Sequence, residues 1–177
     1  MDGASHPHLR PLRKGDAAAV LQAFRSNSDM ARQGQVTTRE EAQSYVAALS
    51  RPDGPHRPWA LEFAGDLVGL VAVSVDEENL NGWFFYWMAN QTRGKGWTKR
   101  AAATVADWAL QEAGLFRLEL GHRVNNPSSG AVARAAGFIK EGTERAKFLV
   151  SGERIDVDVY ARLATDPWPA YEPLEMR

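Results

Sequence analysis

Apolar and polar positions along the chain fall into segments of two periods, one helical and one of strands. Leu9 to Leu12 predicts a short first strand. Asp16 stands as an N-cap ahead of Ala17, Ala18, Ala19, Val20, Leu21 and Phe24, good helix formers with apolar spacing. Thr38 and Glu41 have capping-box spacing in front of Tyr45, Val46 and Leu49, which predicts a second helix. Ser26 to Val36 reads as loop, and so does Arg51 to Pro58 with its Pro and Gly residues. From Trp59 the period is that of strands: Trp59, Leu61 and Phe63 alternate with Ala60 and Glu62. Gly65 and Asp66 then turn the chain into Leu67 to Val75. After an acidic loop, Asp76 to Asn81, comes Trp83-Phe84-Phe85-Tyr86-Trp87-Met88. Its aromatic content on both faces predicts a buried central strand.

A long helix is expected after Gly94 and Gly96, running to about Ala113 and stopped by Gly114. Phe116 to Leu120 reads as a strand, Ser128 to Ala135 as a helix closed by Gly137, and Phe138 onward as a strand. Ser151-Gly152 predicts a two-residue hairpin turn into Ile155, Val157 and Val159, which alternate with Asp156 and Asp158. Thr165 to Arg177 has no period, yet its Trp168 and Tyr171 predict that it lies on the fold rather than hanging free. The order β α α β β β α β α β β is that of an α/β domain with mixed pairing. One domain over residues 1–177 is expected, with a core at about 8–163 and a Pro- and aromatic-containing tail at 164–177.

Composition narrows the class. The chain has 177 residues, enough for one domain to bury about 70% of the surface its unfolded form exposes. Twenty-one Lys and Arg against 22 Asp and Glu leave a net charge of −1, so no broad attraction to nucleic acid or to a membrane is expected. Zero Cys excludes disulfides and thiolate chemistry and fits a reducing, cytoplasmic setting. No apolar run reaches membrane-span length, and Asp2, Gly3, Ser5, His6 and Pro7 lack the apolar core of a signal peptide.

The candidate chemistry lies in Gln91-Thr92-Arg93-Gly94-Lys95-Gly96, between a strand and a long helix. Two glycines let the backbone approach an anion, and the free N–H groups of the next turn point at it with the favourable end of the helix dipole. Arg93 and Lys95 add positive charge, so a diphosphate is the natural occupant. The spacing differs from a Walker loop and lacks the third Gly of the dinucleotide fingerprint. A second cluster follows in Asn126, Ser129, Val132 and Gly137-Phe138.

Gln-x-x-Gly-x-Gly before a long helix, then Asn-x-x-Ser-x-x-Val and Gly-Phe, resembles the GCN5-related N-acetyltransferase (GNAT) superfamily. Ser129, Ala133 where a Tyr is common, Leu9-Arg10-Pro11-Leu12 with Asp16, Trp59-Ala60-Leu61, Glu141-Gly142 and the closing Asp156 to Leu163 resemble its ribosomal-protein N-terminal acetyltransferase branch. The likeness covers about residues 8–163. It implies a strongly bent mixed sheet whose fourth and fifth strands splay apart, with acetyl-CoA as co-substrate and no metal. The pantetheine arm is then expected on backbone groups of Met88 and Ala89. The diphosphate is expected on Arg93, Gly94, Lys95, Gly96, Trp97 and Thr98, and Arg134 is a further candidate phosphate contact.

The implied reaction is direct attack of a primary amine on the thioester. Ser129 is expected to protonate the leaving sulfur, Asn126 to order backbone or water beside it, and an N–H near Ala89 to polarise the carbonyl. Relatives often carry a Glu ten residues before the Arg of the Gly loop; here that position is Trp83. An α-amine, with a pKa of roughly 8, has a useful neutral fraction at pH 7, whereas a lysine amine near 10.4 wants a dedicated carboxylate. The missing Glu therefore favours an α-amine or a similarly weak amine, carried by a protein or peptide N-terminus or by a small molecule such as an antibiotic or metabolite. Asp76, Glu77, Glu78 and His122 are auxiliary candidates as base. Trp59, Trp83 and Phe85 are either core or lining of the acceptor pocket, and Tyr86 is either a proton donor or a buried hydrogen-bonded side chain. His6 and His8 flank Pro7 without a third metal ligand. A non-catalytic acyl-CoA-binding module, a succinyl or other acyl donor, and a homodimer remain as alternatives.

Overall fold

The computed structural model describes residues 6–177, so the polar residues Asp2, Gly3 and Ser5, read above as lacking a signal-peptide core, lie outside the described residues. The elements are β1 (His8–Pro11), α1 (Ala17–Arg25), α2 (Arg39–Leu49), β2 (His56–Phe63), β3 (Asp66–Asp76), β4 (Asn81–Met88), α3 (Trp97–Gln111), β5 (Arg117–Arg123), α4 (Pro127–Ala135), β6 (Ile139–Val150) and β7 (Glu153–Leu163). Their order is the one expected. The strands form one mixed sheet, β1-β2-β3-β4-β5-β7-β6, with β4 at its centre. Every neighbouring pair is antiparallel except β4 with β5.

That parallel pair decides the shape of the site. β4 and β5 meet only where Asn81, Gly82 and Trp83 face Arg117, Leu118 and Glu119. Beyond Trp83 each strand runs on, to Met88 and to Arg123, and the two part. Gly82 permits the tight start: a Cβ there would stand 2.5 Å from the Val73 side chain and 2.9 Å from Leu115.

Helices cover both faces. α1 and α2 bury Val20, Phe24 and Val46 against Ala60, Leu70, Ala72 and Trp87, while α3 and α4 close over Val71, Val73, Phe84, Leu118 and Leu120. The alternation of β4 places Phe84 in one core and Trp87 in the other. Trp83 departs from the buried expectation at 46% exposed, because the α1–α2 layer packs on Phe85 and Trp87 and stops short of it. α3 is lined by Ala101, Ala102, Ala103, Ala106 and Ala109, all without solvent exposure. Small side chains let it lie close to the sheet, with the C-terminal segment on its outer side. There Tyr171 Oη donates to Asp107 Oδ2 at 2.6 Å, Leu174 N–H reaches Thr104 Oγ1 at 3.0 Å, and Arg100 Nε reaches the Glu172 carbonyl at 2.8 Å. Leu9 then bonds Glu175 and Arg177 through its N–H and C=O, at 2.8 and 2.9 Å.

Three local expectations are corrected. Residues Ser28–Gln33, read as loop, form a 3-10 turn whose Met30 is buried, and Asn27 Oδ1 caps it by accepting the Asp29 N–H at 2.8 Å. β2 starts at His56 and includes Pro58: the lost N–H is harmless because β1 ends at Pro11 opposite Trp59. Asp16 stands at the start of α1, but its carboxylate turns away to Arg10, at 2.8 and 2.9 Å, and to the Arg13 N–H at 2.7 Å. The Thr38–Glu41 capping box forms as expected.

Arg10 also pairs with Glu62, so one buried guanidinium joins two carboxylates. Burial alone would raise the Asp16 carboxyl, but the hydrogen bonds from Arg10 and Arg13 hold it below the usual carboxylate range. A depressed folded pKa contributes stability above the unfolded value, about 4, and loses it as pH falls. Asp16→Asn is expected to cost about 2 kcal/mol at pH 7, with the gap to the parent protein closing below about pH 4 in urea unfolding curves.

Candidate active site

The gap between β4 and β5 opens into a cleft of about 420 Å³. Its wall brings together Met88 at the end of β4, Arg93, Gly94, Gly96 and Thr98 at the start of α3, and Asn126 and Ser129 at the start of α4. Residues separated by nearly forty positions in sequence converge because both helices begin at the same end of the parted strands.

The turn before α3 is open on its outer side. Gly94 and Gly96 adopt left-handed backbone, φ +80° and +75°, and nothing lies within 4 Å of where a Cβ would stand. Arg100 N–H bonds the Gly96 carbonyl at 3.3 Å, so the N–H groups of Trp97, Thr98 and Lys99 precede the first turn's hydrogen bonds and face outward. Arg93 departs from the expected pattern: its N–H is engaged by the Asn90 carbonyl at 3.3 Å, leaving its guanidinium to face the cleft. Lys95 folds back over the rings of Trp97, at 4.7 Å, and Phe63, at 5.6 Å, so neither Lys95 nor Trp97 lines the cleft with its side chain.

At the strand side, Ala89 gives its own N–H to the Val68 carbonyl at 2.8 Å, so the donor expected near Ala89 is not its own. Because antiparallel pairing alternates sides, Met88 N–H points the other way, into the gap left by β5. Opposite it, Tyr86 Oη lies 2.8 Å from the Ser129 carbonyl and 3.0 Å from Ser129 Oγ. Burial, partly offset by the hydrogen bond with Ser129, pushes the Tyr86 hydroxyl up to about 12. Asn126 Oδ1 accepts from Ser128 Oγ at 2.8 Å, with its own N–H held by the Arg123 carbonyl at 2.9 Å.

Other expected residues lie elsewhere. Trp59 packs edge-on against Trp108 of α3, with ring centres 5.2 Å apart. Phe85 sits against the α1–α2 core, Trp83 faces solvent on that same side of the sheet, and Arg134 donates to Tyr160 Oη at 3.2 Å. His122 is buried, with Nδ1 on the Arg123 carbonyl at 2.9 Å and Nε2 shut beneath Gly130, so it does not open on the cleft. Asp76 ends β3 and Glu77 and Glu78 follow it, at the opposite end of β4 from Met88, seven residues or about 23 Å away along the strand. Lining residues absent from the sequence reading include Asp29, Arg32 and Gln33 of the 3-10 turn and Lys99 of α3. Among the lining residues Asp29 is the one carboxylate, and it lies 3.4 Å from Arg32 and 3.9 Å from Arg93.

The Acetyltransferase (GNAT) domain family matches residues 8–139. The chain belongs to the GNAT acetyltransferases. It is 36% identical over 173 residues to a probable N-acetyltransferase of Bacillus subtilis, covering 90% of this chain and 94% of that one. It is 31% identical over 104 residues to a putative ribosomal N-acetyltransferase of the same organism, a match spanning 58% of this chain and 57% of that relative's length. These names agree with the N-acetyltransferase class expected from the sequence. A solved ribosomal L7/L12 alpha-N-protein acetyltransferase in complex with coenzyme A shares the GNAT fold at TM-score 0.81 and 22% identity, over 89% of this chain and 93% of that one. Among the described residues of this GNAT chain no helix is long and apolar enough to cross a membrane.

Proposed function

We propose that this GNAT protein moves an acetyl group from acetyl-CoA to the α-amine of a polypeptide, by direct attack within a ternary complex. The observation that carries this reading is the Tyr86–Ser129 hydroxyl pair, set in a cleft whose lining carboxylate is shared by two guanidiniums.

The residues present fit coenzyme A. The open turn at Gly94 and Gly96, the outward N–H groups of Trp97, Thr98 and Lys99, and the cations Arg93 and Lys99 suit a diphosphate, and the unpaired edge of β4 suits the amides of the pantetheine arm. When bound, acetyl-CoA supplies an activated carbonyl and a thiol leaving group. Met88 N–H holds the acyl oxygen as negative charge develops on it. Ser129 Oγ donates toward the departing sulfur, and Tyr86, which keeps its proton at neutral pH and donates it in a hydrogen bond to the Ser129 carbonyl, holds that hydroxyl in place from behind. A thiol of pKa about 8.5 needs only modest help, which suits two hydroxyls rather than a strong acid.

The amine has to arrive neutral. Two guanidiniums already engage Asp29, so the site suits an amine that loses its own proton near neutrality, as an α-amine does at about 8 and a lysine side chain near 10.4 does not. The relatives named for ribosomal and alpha-N-protein acetylation support the same acceptor class.

The test is thiol release with acetyl-CoA and succinyl-CoA against N-terminal peptides, blocked peptides carrying only a lysine amine, and aminoglycosides. Release is expected with acetyl-CoA and free N-terminal peptides. Release confined to lysine amines or aminoglycosides overturns the acceptor, and tight coenzyme A binding without any release favours a non-catalytic acyl-CoA-binding module. Gly96→Ala places a side chain on left-handed backbone over the open turn. It is expected to cost about 1 kcal/mol of stability and to weaken coenzyme A binding about tenfold in calorimetry.

A further inference from the structure

β4 and β5 part beyond Trp83 and Glu119, and Tyr86 and His122 each stand three residues past that last pair on their own strands. The start of α4 lies across both side chains. Tyr86 Oη donates to the Ser129 carbonyl at 2.8 Å. Gly130 packs on the His122 ring so closely that a Cβ there would stand 2.7 Å from Nε2 and 3.1 Å from Cε1. The Ser129–Gly130 peptide thus spans the gap, with one support on each parted strand.

The imidazole is held rigidly. A carbonyl only accepts, so the 2.9 Å contact of Nδ1 with the Arg123 carbonyl puts the ring proton on Nδ1 and leaves a lone pair on Nε2. The Tyr160 ring of β7 flanks it, with ring centres 5.4 Å apart and planes 31° apart. Tyr160 Oη in turn accepts from Arg134 Nη1 at 3.2 Å, and that nitrogen stands 3.2 Å from the same Cβ position on Gly130. His122 is 9% exposed, and Nε2 has no hydrogen-bond partner among the described residues. An unpartnered buried nitrogen opposes folding, so packing alone does not account for an imidazole where an apolar side chain would fill the space. What the imidazole adds is a flat edge at a fixed height, tied through Nδ1 to the backbone of its own strand.

We infer that His122 is a positioning residue of acetyl transfer: it sets the height of Gly130, and so holds Ser129 Oγ where the sulfur leaves. This inference rests on the reading of Ser129 as proton donor given above. His122 does not open on the cleft and acts only through α4. Tyr86 fixes the Ser129 carbonyl from β4 and His122 supports the next residue from β5, so the hydroxyl keeps its place although the strands beneath it are unpaired. Gly130 is part of the same arrangement, since a larger residue lifts α4 off the ring.

The full chain is tested by thiol release at saturating acetyl-CoA, with whichever amine supports release. His122→Asn keeps a donor for the Arg123 carbonyl and removes the edge that carries Gly130. It is expected to lower kcat about fivefold, and Gly130→Ala about tenfold. The dissociation constant for coenzyme A, read by calorimetry, is expected to stay within about threefold in both. The pair His122→Asn with Gly130→Ala puts the methyl into the space the ring leaves, and is expected to return kcat to within about twofold of the parent. In a Ser129→Ala background neither substitution is expected to slow turnover further, a signature that a general loosening of the fold does not give. Denaturation curves check folding, and His122→Asn decides alone if Gly130→Ala does not fold. Single variants with the parent's kcat, losses that persist without the Ser129 hydroxyl, or losses that the pair does not recover overturn the inference. Slow Ser129→Ala beside single variants at the parent's rate leaves the Ser129 reading standing. Ser129→Ala at the parent's rate, or no release from any amine, overturns both.

Discussion

Asp107→Ala is expected to lower the unfolding free energy by about 3 kcal/mol, the largest stability change among the substitutions considered. Arg162 of β7 is 1% exposed, and its guanidinium reaches Asp107 Oδ1 at 2.6 Å and the Ala136 carbonyl at 2.9 Å beneath the ring of Trp168. Removing the carboxylate leaves a buried cation whose Nε already has no hydrogen-bond partner among the described residues. It also frees the Tyr171 hydroxyl, 2.6 Å from the same carboxylate, and so loosens the segment that lies over α3. The double variant Asp107→Leu with Arg162→Met removes both charges together and is expected to recover most of the loss. Chemical denaturation of the two variants beside the parent measures the difference, and a single variant as stable as the parent would show that water reaches Arg162.

Ser129→Ala is expected to have the largest effect on turnover. kcat falls about 10- to 100-fold, while the dissociation constant for coenzyme A stays within about twofold. The drop is at the lower end of what general-acid groups supply because the leaving thiolate is itself a stable anion near neutral pH. Tyr86→Phe removes the hydroxyl behind Ser129 and is expected to cost about tenfold. The two substitutions together are expected to cost less than the product of their separate effects, since the hydroxyls act as a pair 3.0 Å apart. Rapid-mixing measurement of thiol release separates chemistry from product release. Loss of coenzyme A binding in Ser129→Ala would make that side chain a structural support of α4 and remove it from the reaction.

The parts of the site that the sequence displays are those set by local rules. Gly94 and Gly96 mark left-handed backbone before a helix, and Ser129 lies at a fixed distance from Asn126 and Gly137, so both clusters are readable without knowing what packs around them. Trp59, Trp83 and Phe85 are different: each sits on a strand, and whether its ring meets a helix, solvent or a ligand depends on how far α1, α2 and α3 extend over the sheet. Asp16 carries the local signature of an N-cap, yet a partner six residues away captures its carboxylate, because bidentate contact with a buried guanidinium outweighs one cap. The turn at Ser28–Gln33 is polar with no period, and Met30 is its single apolar anchor, so Arg32 reaches the cleft unannounced.

The hydrogen bonds from Leu9 to Glu175 and Arg177 bear on how the molecule behaves among its copies. β1 is the outermost strand on its side of the sheet, and its free edge would otherwise be a template for another chain to dock upon. The closing residues act as an edge guard, so the same stretch that covers α3 also shields the sheet from unwanted intermolecular pairing.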